Sequence, residues 1–218
     1  MGQQLAVVLA VLAACVFPAA AGSDKTAPEK VILALGDSLT AGYGLAAAEA
    51  FPAQLEQALR TRGHRVRVIN AGISGDTTAG GRARTGWLLA ERPDMVLLEL
   101  GGNDGLRGID PAETRANLNA MIEQIQKSGA ALLLAGMRAP PNLGADYVNQ
   151  FNRIYPELAE KHNVLLYPFF LDGVAGDPAL NQSDGIHPVA RGVEIIVSRI
   201  LPYVEAVLAG TTEAPRID

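Results

Sequence analysis

The chain contains 218 residues, which is the size of one ordinary domain, since domains usually have roughly 100–200 residues. A domain of this size buries about 70% of its unfolded surface, so it needs no disulfide or metal for stability. Cys15 is the single cysteine, which excludes an intrachain disulfide and a cysteine-based zinc site. The 18 basic and 23 acidic side chains give a net charge of −5, so we expect no nucleic-acid partner.

The N-terminal segment, residues 1–21, carries no charged side chain and contains an apolar run from Leu5 to Cys15. That run fits the core of a signal peptide and is shorter than the ~20 residues that span a bilayer. The small residues Ala19, Ala20 and Ala21 predict cleavage by signal peptidase I after Ala21, and therefore a periplasmic or secreted protein with no stable membrane span. The alternative is a lipoprotein anchored through Cys15, because the sequence LAAC at positions 12–15 resembles a bacterial lipobox.

The rest of the chain is predicted to form a linker (residues 22–29), one domain (30–208) and a flexible tail (209–218). Short apolar runs predict strands at 31–35, 65–70, 95–100, 130–134 and 164–167. Helical periodicity or helix-capping residues predict helices at 46–62, 77–91, 111–127, 145–162 and 188–208. This alternation is typical of an α/β fold with a five-stranded parallel sheet, in which 65–70 lies near an edge and ligands bind at the carboxyl ends of the strands.

Polar motifs follow the first two predicted strands. The first strand ends in Gly36-Asp37-Ser38-Leu39, which places Ser38 at a turn where backbone N–H groups can face its side chain. Taken alone, a serine in this place is better explained as an N-cap residue. The second strand leads into residues 70–77, NAGISGDT, whose glycines permit close backbone approach or simply form a turn before a helix.

The third strand and the C-terminal part carry two further polar motifs. Asn103 follows two glycines, and its amide can either donate to a developing oxyanion or form an ordinary turn. Asp184 and His187 lie three residues apart, a spacing that can hold a carboxylate against the imidazole Nδ1. The alternative for this pair is an N-cap aspartate with a histidine at a helix start. The other histidines, His64 and His162, are predicted to be surface residues.

Together the four motifs contain what acyl transfer requires: a nucleophile, a base, a carboxylate that orients the base, and donors for an oxyanion. All four fall on the same side of the predicted sheet. Over about residues 30–208 the motifs resemble those of the SGNH or GDSL hydrolases. They are most similar to the bacterial periplasmic branch that contains thioesterase I, also called lysophospholipase L1, and arylesterases.

The resemblance implies a role for each motif residue. Ser38 corresponds to the nucleophile, His187 to the general base and Asp184 to the residue that orients the base. The backbone N–H groups of Ser38 and Gly75 and the side chain of Asn103 correspond to the oxyanion hole. The resemblance also implies a flavodoxin-like three-layer α/β/α sandwich with strand order 2-1-3-4-5, and no metal or organic cofactor.

The predicted function is hydrolysis of small carboxylic esters, and also of acyl thioesters or lysophospholipids, by a monomer. The residues predicted to bind substrate are Asp37, Leu39, Leu106, Met137, Pro140 and Ile186. Aromatic residues make up 5% of the chain, which leaves little material for stacking against a polysaccharide. Two alternatives stay open: a carbohydrate or peptidoglycan O-acetyl esterase on the same fold, and a non-enzymatic flavodoxin-like binder of phosphate or flavin at residues 36–44.

Overall fold

The computed structural model describes residues 28–215. Its centre is a sheet of five parallel strands in the order β2-β1-β3-β4-β5. The strands are β1 (Lys30–Gly36), β2 (Val66–Gly72), β3 (Met95–Glu99), β4 (Ala131–Ala135) and β5 (Leu165–Tyr167). The predicted fold class and strand order are confirmed, and β2 is an edge strand as its alternating basic residues indicated.

Helices cover both faces of the sheet. They are α1 (Ser38–Ala41), α2 (Phe51–Thr61), α3 (Thr78–Leu88), α4 (Gly102–Arg107), α5 (Pro111–Ser128), α6 (Ala145–Asn152), α7 (Ile154–His162) and α8 (Ala190–Leu208). On one face α2 packs against α8, and on the other α5 packs against α3 and α7. The result is the three-layer α/β/α sandwich. The strands are apolar because both faces of the sheet are covered: all five residues of β3 are buried.

Helix α5 shows how local sequence sets an element boundary. The side chain of Asp110 accepts a hydrogen bond from the backbone N–H of Ala112 at 2.8 Å, and Pro111 occupies the first turn, where its missing N–H costs nothing. Gly129 ends the helix with a φ of 86°, a left-handed conformation that glycine adopts without strain. The cap predicted at Asp110 is confirmed.

The structure corrects the predicted helix at 145–162, which is divided into α6 and α7. Pro156 has no N–H to donate to the carbonyl of Asn152, four residues earlier, so the hydrogen-bond ladder is interrupted there. The predicted helix at 46–62 is also divided, because a 3₁₀ turn (Ala47–Glu49) precedes α2. The short helices α1 and α4 form within segments that were predicted to be turns or loops.

The described residues include only part of the segments predicted at the two ends of the chain. The predicted signal peptide and Cys15 lie outside the described residues, and the division of the chain into segments stays a prediction. Helix α8 ends at Leu208, and residues 209–215 contain no helix or strand. Within residues 28–215, every helix is too short or too polar to cross a membrane.

The sheet brings its carboxyl ends together at one edge. Gly36, the last residue of β1, is paired with Gly72 of β2 and with Glu99 of β3. The next strand in the chain, β2, pairs with one side of β1, and the strand after it, β3, pairs with the opposite side. This reversal makes a crevice beyond β1 and β3, where open parallel sheets usually bind their ligands.

Candidate active site

Ser38 is presented by the short helix α1, immediately after β1. The side chain of Asp37 caps this helix by accepting a hydrogen bond from the N–H of Leu39 at 3.0 Å. Gly42 ends it with a φ of 84°. Ser38 is therefore the first residue of the helix, where its N–H is not required by the helical ladder.

Asp184 and His187 form a tight turn opposite Ser38. Oδ1 of Asp184 accepts hydrogen bonds from the backbone N–H groups of Ile186 and His187, at 2.9 and 3.0 Å. Oδ2 of Asp184 lies 2.7 Å from Nδ1 of His187, and Nε2 of His187 lies 2.9 Å from Oγ of Ser38. The three residues predicted to act together therefore form one continuous chain of hydrogen bonds.

The hydrogen bonds of Asp184 determine which nitrogen of His187 faces the serine. The side-chain bond from His187, followed by the two backbone N–H bonds, lowers the pKa of Asp184 to about 2. At neutral pH Asp184 is thus a carboxylate, which can only accept hydrogen bonds. Nδ1 of His187 is therefore the donor, and Nε2 is free to accept the proton of the Ser38 hydroxyl.

The predicted oxyanion donors differ in whether they already have hydrogen-bond acceptors within the protein. Within the described residues, the backbone N–H groups of Ser38 and Gly75 have no hydrogen-bond acceptor. Gly75 has a φ of 80°, and its carbonyl is held by Arg107 Nη2 at 2.9 Å. Asn103 is different: its Nδ2 already donates to Asp37 Oδ2 at 3.0 Å and to the carbonyl of Asp76 at 2.9 Å. To bind an oxyanion, this amide must share or exchange one of its acceptors.

An apolar cleft of about 350 Å³ opens beside Ser38 and His187. All six residues predicted to bind substrate lie in its wall: Asp37, Leu39, Leu106, Met137, Pro140 and Ile186. Phe169, Leu171 and Arg138 also line it, and these three were not predicted. A larger groove of about 630 Å³ lies between α2 and α8, and it contains none of the predicted catalytic residues.

Comparison with known proteins identifies the family. Residues 34–195 match the GDSL-like lipase/acylhydrolase family. The chain belongs to this family. It is 42% identical to the esterase TesA of Pseudomonas aeruginosa, over 84% of its own length and 92% of that protein. It is 43% identical to thioesterase 1/protease 1/lysophospholipase L1 of Escherichia coli K12, over 75% of its own length and 78% of that protein. The crystal structure of AlinE4, an SGNH-hydrolase family esterase, is 52% identical, with a TM-score of 0.71 over 84% of this chain and 98% of that one.

The chain is therefore a serine esterase of the GDSL family, which confirms the predicted class of enzyme. Hydrolysis through an acyl-enzyme is general to this family. Open parallel sheets hold such chemistry in the loops that follow their strands. In this GDSL esterase Ser38, Gly75 and Asn103 follow β1, β2 and β3, and the loop with Asp184 and His187 precedes α8.

Beneath the serine, the GDSL esterase carries a buried acid that sequence reasoning missed. Glu99 ends β3 and is fully buried; its Oε2 accepts hydrogen bonds from Thr40 Oγ1 at 2.7 Å and from the N–H of Asp37 at 3.3 Å. Its Oε1 has no partner among the described residues. Burial raises the pKa of Glu99 well above its usual value, so the neutral acid is favoured. The available signal was a single charged residue inside an otherwise apolar strand.

Asp37 lies between the serine and this buried acid. Only 2% of its surface is exposed, and burial raises its pKa to about 6, although hydrogen bonds from Leu39 and Asn103 act in the opposite direction. Its carboxylate oxygens are thus already bonded to the protein. We interpret Asp37 mainly as a support for α1 and Asn103, and its predicted contact with substrate stays a prediction.

Arg84, also missed, joins the strand ends around the site. Its side chain is 16% exposed and donates from Nη1 to the carbonyl of Ala71, from Nη2 to the carbonyl of Gly36 and from Nε to Asp76 Oδ2, at 2.6, 2.9 and 2.8 Å. The carbonyl of Asp76 in turn accepts from Asn103. Arg84 therefore fixes the ends of β1 and β2 and the loop that follows β2.

The remaining titratable groups lie away from the serine. His64 is half-buried against Glu205 at 3.0 Å, and His162 is half-buried against Asn119 at 2.8 Å, so both are less exposed than predicted. Among the described residues, no group of three or more histidines, cysteines or acids is arranged to hold a metal ion. The predicted absence of a metal or organic cofactor stays a prediction.

Proposed function

We propose that this esterase acylates itself at Ser38, with His187 as general base and Asp184 as the residue that orients it. The observation that carries the proposal is the hydrogen-bonded chain from Asp184 through His187 to Ser38, with distances of 2.7 and 2.9 Å. These distances lie within the range required for proton transfer between a nucleophile and its base.

The proposed reaction has two steps. In the first, Ser38 Oγ forms a bond to the substrate's carbonyl carbon while its proton moves to Nε2 of His187. The bond from the carbonyl carbon to the alcohol or thiol then breaks, and His187 gives its proton to this leaving group. In the second step water attacks the acyl-enzyme with His187 again as base, releasing the carboxylic acid and free Ser38.

The negative charge that develops on the carbonyl oxygen requires donors that are in place before the reaction. The unpaired N–H groups of Ser38 and Gly75 support a role as two of these donors. Asn103 is proposed as the third, and it exchanges its bond with Asp37 for one with the oxyanion. The exchange removes the donor of Asp37 Oδ2, while Asp37 Oδ1 keeps its bond from the N–H of Leu39. The hydrogen bond to the oxyanion must therefore outweigh the cost of an unpaired buried carboxylate oxygen.

We further propose that the substrates are small acyl esters, acyl thioesters and lysophospholipids. Leu39, Met137 and Phe169 give the cleft an apolar wall that suits an acyl chain. The names of the relatives, an esterase and a thioesterase 1/lysophospholipase L1, support the same classes. A carbohydrate O-acetyl esterase is less well supported, because Phe169 is the one aromatic residue of the described cleft wall besides the imidazole of His187.

The first experiment tests Ser38 directly. We expect Ser38→Ala to abolish hydrolysis of p-nitrophenyl butyrate while the thermal unfolding temperature stays within a few degrees of the wild type. Ser198→Ala is the matched control, since Ser198 is exposed on α8 and bonds only the carbonyl of Ile195. His187→Gln should be as inactive as Ser38→Ala, and His162→Gln should be fully active. Turnover in a clean Ser38→Ala preparation would refute the proposal.

The second experiment tests the substrate class. We expect a series of p-nitrophenyl esters with acyl chains of increasing length, together with acyl thioesters and lysophospholipids, to give higher kcat/KM than acetylated oligosaccharides. The cleft variant Met137→Ala should change the chain-length preference without abolishing turnover, because Met137 lines the cleft but takes no part in the hydrogen bonds that join Asp184, His187 and Ser38. Preferential deacetylation of the oligosaccharides would contradict the substrate proposal and leave the role of Ser38 intact.

We also propose that the protein is exported, on the basis of the apolar segment 5–15 and the small residues that follow it. N-terminal sequencing of protein recovered from the periplasm of a bacterial host checks this proposal. A first residue of Gly22 supports cleavage by signal peptidase I, whereas a lipid-modified Cys15 supports the lipoprotein alternative. Recovery of the full-length chain from the cytoplasm alone would contradict export.

A further inference from the structure

The ring of Tyr43 lies against the ring of His187. Their centroids are 4.5 Å apart and their planes are inclined by 38°. Tyr43 follows α1 directly, and its N–H donates to the carbonyl of Ser38 at 3.1 Å. About half of its surface is exposed, so burial in the core does not explain the position of this ring. The contact is within the ~6 Å over which an aromatic face attracts a cation.

Gln182 holds the two loops of this contact together. Its backbone N–H donates to the carbonyl of His187 at 2.7 Å, and its Nε2 donates to the carbonyls of Tyr43 and Pro188, at 2.7 and 3.1 Å. A Cβ at Gly44 would lie 2.3 Å from Oε1 of Gln182, so a residue without a side chain is required there for this approach. One side chain thus joins the loop after Ser38 to the turn that carries His187.

We propose that Tyr43, held by Gln182, is a positioning residue that stabilises the imidazolium of His187 formed when Ser38 loses its proton. The inference rests on the proposed function, in which His187 is the base. The face of an aromatic ring is negative and favours a cation over a neutral ring. The contact therefore becomes stronger in the transition state than in the resting enzyme, which is the condition for raising kcat.

Two other charged groups act on His187, and a third lies in the same cleft. Asp184 contacts it from the same turn, and Asp37 acts on it from the N-terminus of α1. Arg138 lies in the cleft wall, where its guanidinium carbon is 4.6 Å from the centroid of Phe169. A change at Tyr43 leaves these three groups in place. Since Tyr43 is not part of the cleft wall, the change also leaves the acyl-binding surface in place.

The test compares Tyr43→Leu with Tyr43→Phe. We expect Tyr43→Leu to lower kcat about three- to fivefold, with KM within twofold of the wild type. In the same variant, the acidic limb of the plot of kcat/KM against pH should move about 0.5 unit towards lower pH, because the imidazolium has lost a stabilising contact. Tyr43→Phe keeps the ring and should restore both kcat and the position of this limb. Trp87→Leu, which removes the exposed aromatic residue of α3, is the matched control.

A double-mutant cycle tests the role of Gln182. Gln182→Met keeps the length of the side chain but removes its N–H donors, so Tyr43 is no longer tied to the turn. We expect a smaller loss of kcat than in Tyr43→Leu, and we expect the double variant to resemble Tyr43→Leu alone. Such non-additivity indicates that Gln182 acts through Tyr43. Fully additive losses would overturn this part of the inference.

Three results would overturn the inference for Tyr43. The first is unchanged kcat in Tyr43→Leu, and the second is a loss of kcat in that variant without movement of the acidic limb. The third is an equal loss of kcat in Tyr43→Phe. Failure of the proposed function gives a different result, since His187→Gln would then remain active. An inactive His187→Gln together with a wild-type-like Tyr43→Leu therefore rejects the inference alone.

Discussion

Two kinds of carboxyl group flank Ser38, and their surroundings are opposite. Asp184 is partly exposed, accepts three hydrogen bonds from Ile186 and His187, and has its pKa lowered to about 2. Asp37 and Glu99 are buried, and burial raises the pKa of each, to about 6 for Asp37. The same functional group is thus a permanent anion in Asp184, a carboxyl that titrates close to neutral pH in Asp37, and an acid whose neutral form is favoured in Glu99.

This contrast indicates that the carboxyl group that stabilises charge and the one that supports the serine by hydrogen bonds are different residues. An anion beside His187 stabilises the imidazolium that forms during the reaction. A second full negative charge directly under Ser38 would oppose the oxyanion, which carries the same sign. Keeping Glu99 neutral lets it hold Thr40 and Asp37 by hydrogen bonds without that penalty. Replacing each carboxyl group in turn should therefore produce different kinds of damage.

The largest expected effect is on activity, in Asp184→Asn. An asparagine keeps the size of the side chain but favours the wrong tautomer of His187, and we expect kcat to fall by about 10⁴-fold. Asp177→Asn is the matched control, because Asp177 also caps a turn by accepting from the N–H two residues later, at 2.8 Å, but contacts no histidine. The measurement is kcat for p-nitrophenyl butyrate. A loss of less than tenfold in Asp184→Asn would contradict the assigned role.

The next effect concerns Asn103, whose side chain donates to the buried carboxyl of Asp37. We expect Asn103→Ala to lower kcat about 10²- to 10³-fold with little change in KM, because the oxyanion donor acts mainly in the transition state. Asn119→Ala, on α5, controls for loss of an asparagine that contacts charged surface residues. A raised KM with unchanged kcat would instead indicate that Asn103 binds the substrate equally in the ground state and the transition state.

The third effect is on stability, in Glu99→Ala. This change leaves a cavity and removes the acceptor of Thr40 and of the N–H of Asp37, so we expect the free energy of unfolding to fall by about 2–4 kcal/mol. Because burial favours the neutral form of Glu99, its removal brings little compensating relief of buried charge. Glu99→Gln keeps the volume and one acceptor and should lose less than half as much in urea denaturation. Equal losses in both variants would show that an ionised carboxylate is required there.

Part of the candidate site could be predicted from the sequence. Ser38, Asn103, Asp184 and His187 were predictable because each lies in a short motif at a strand end or a turn, and parallel strands bring such ends together. Glu99 was not, because its role depends on the register that pairs it with Gly36, a contact between distant strands. The sequence of an apolar strand carries no information about its register.

Two other features depended on long-range contacts in the same way. The packing of Tyr43 against His187, and its support by Gln182, joins segments far apart in the chain, and no local periodicity predicts it.

The division between α6 and α7 is a different case. Pro156 is visible in the sequence as a residue that cannot continue a helical ladder, so local chemistry alone predicts a break in the helix predicted at 145–162.

The smallest expected effect is on the pH dependence of stability, and it separates the two kinds of carboxyl group by sign. In the unfolded chain an aspartate has a pKa near 3.9. For Asp37, whose folded pKa is raised to about 6, the stabilising preference for the protonated form is present below pH 4 and is lost as pH rises through 6. Asp37→Asn cannot ionise, so its stability relative to the wild type should increase from pH 4 to pH 7, by at most about 3 kcal/mol.

Asp184→Asn should move in the opposite direction, in a lower pH window. The folded pKa of Asp184 is lowered to about 2, so its stabilising contribution is present above pH 4 and is lost as pH falls through 2. The stability of the variant relative to the wild type should therefore decrease as pH rises from 2 to 4 and stay constant above. Urea denaturation across both windows, with Asp146→Asn as an exposed control in α6, measures the two slopes. Slopes of the same sign would show that burial of Asp37 and hydrogen bonding of Asp184 do not shift their pKa values in opposite directions, and the contrast between the two carboxyl groups would fail.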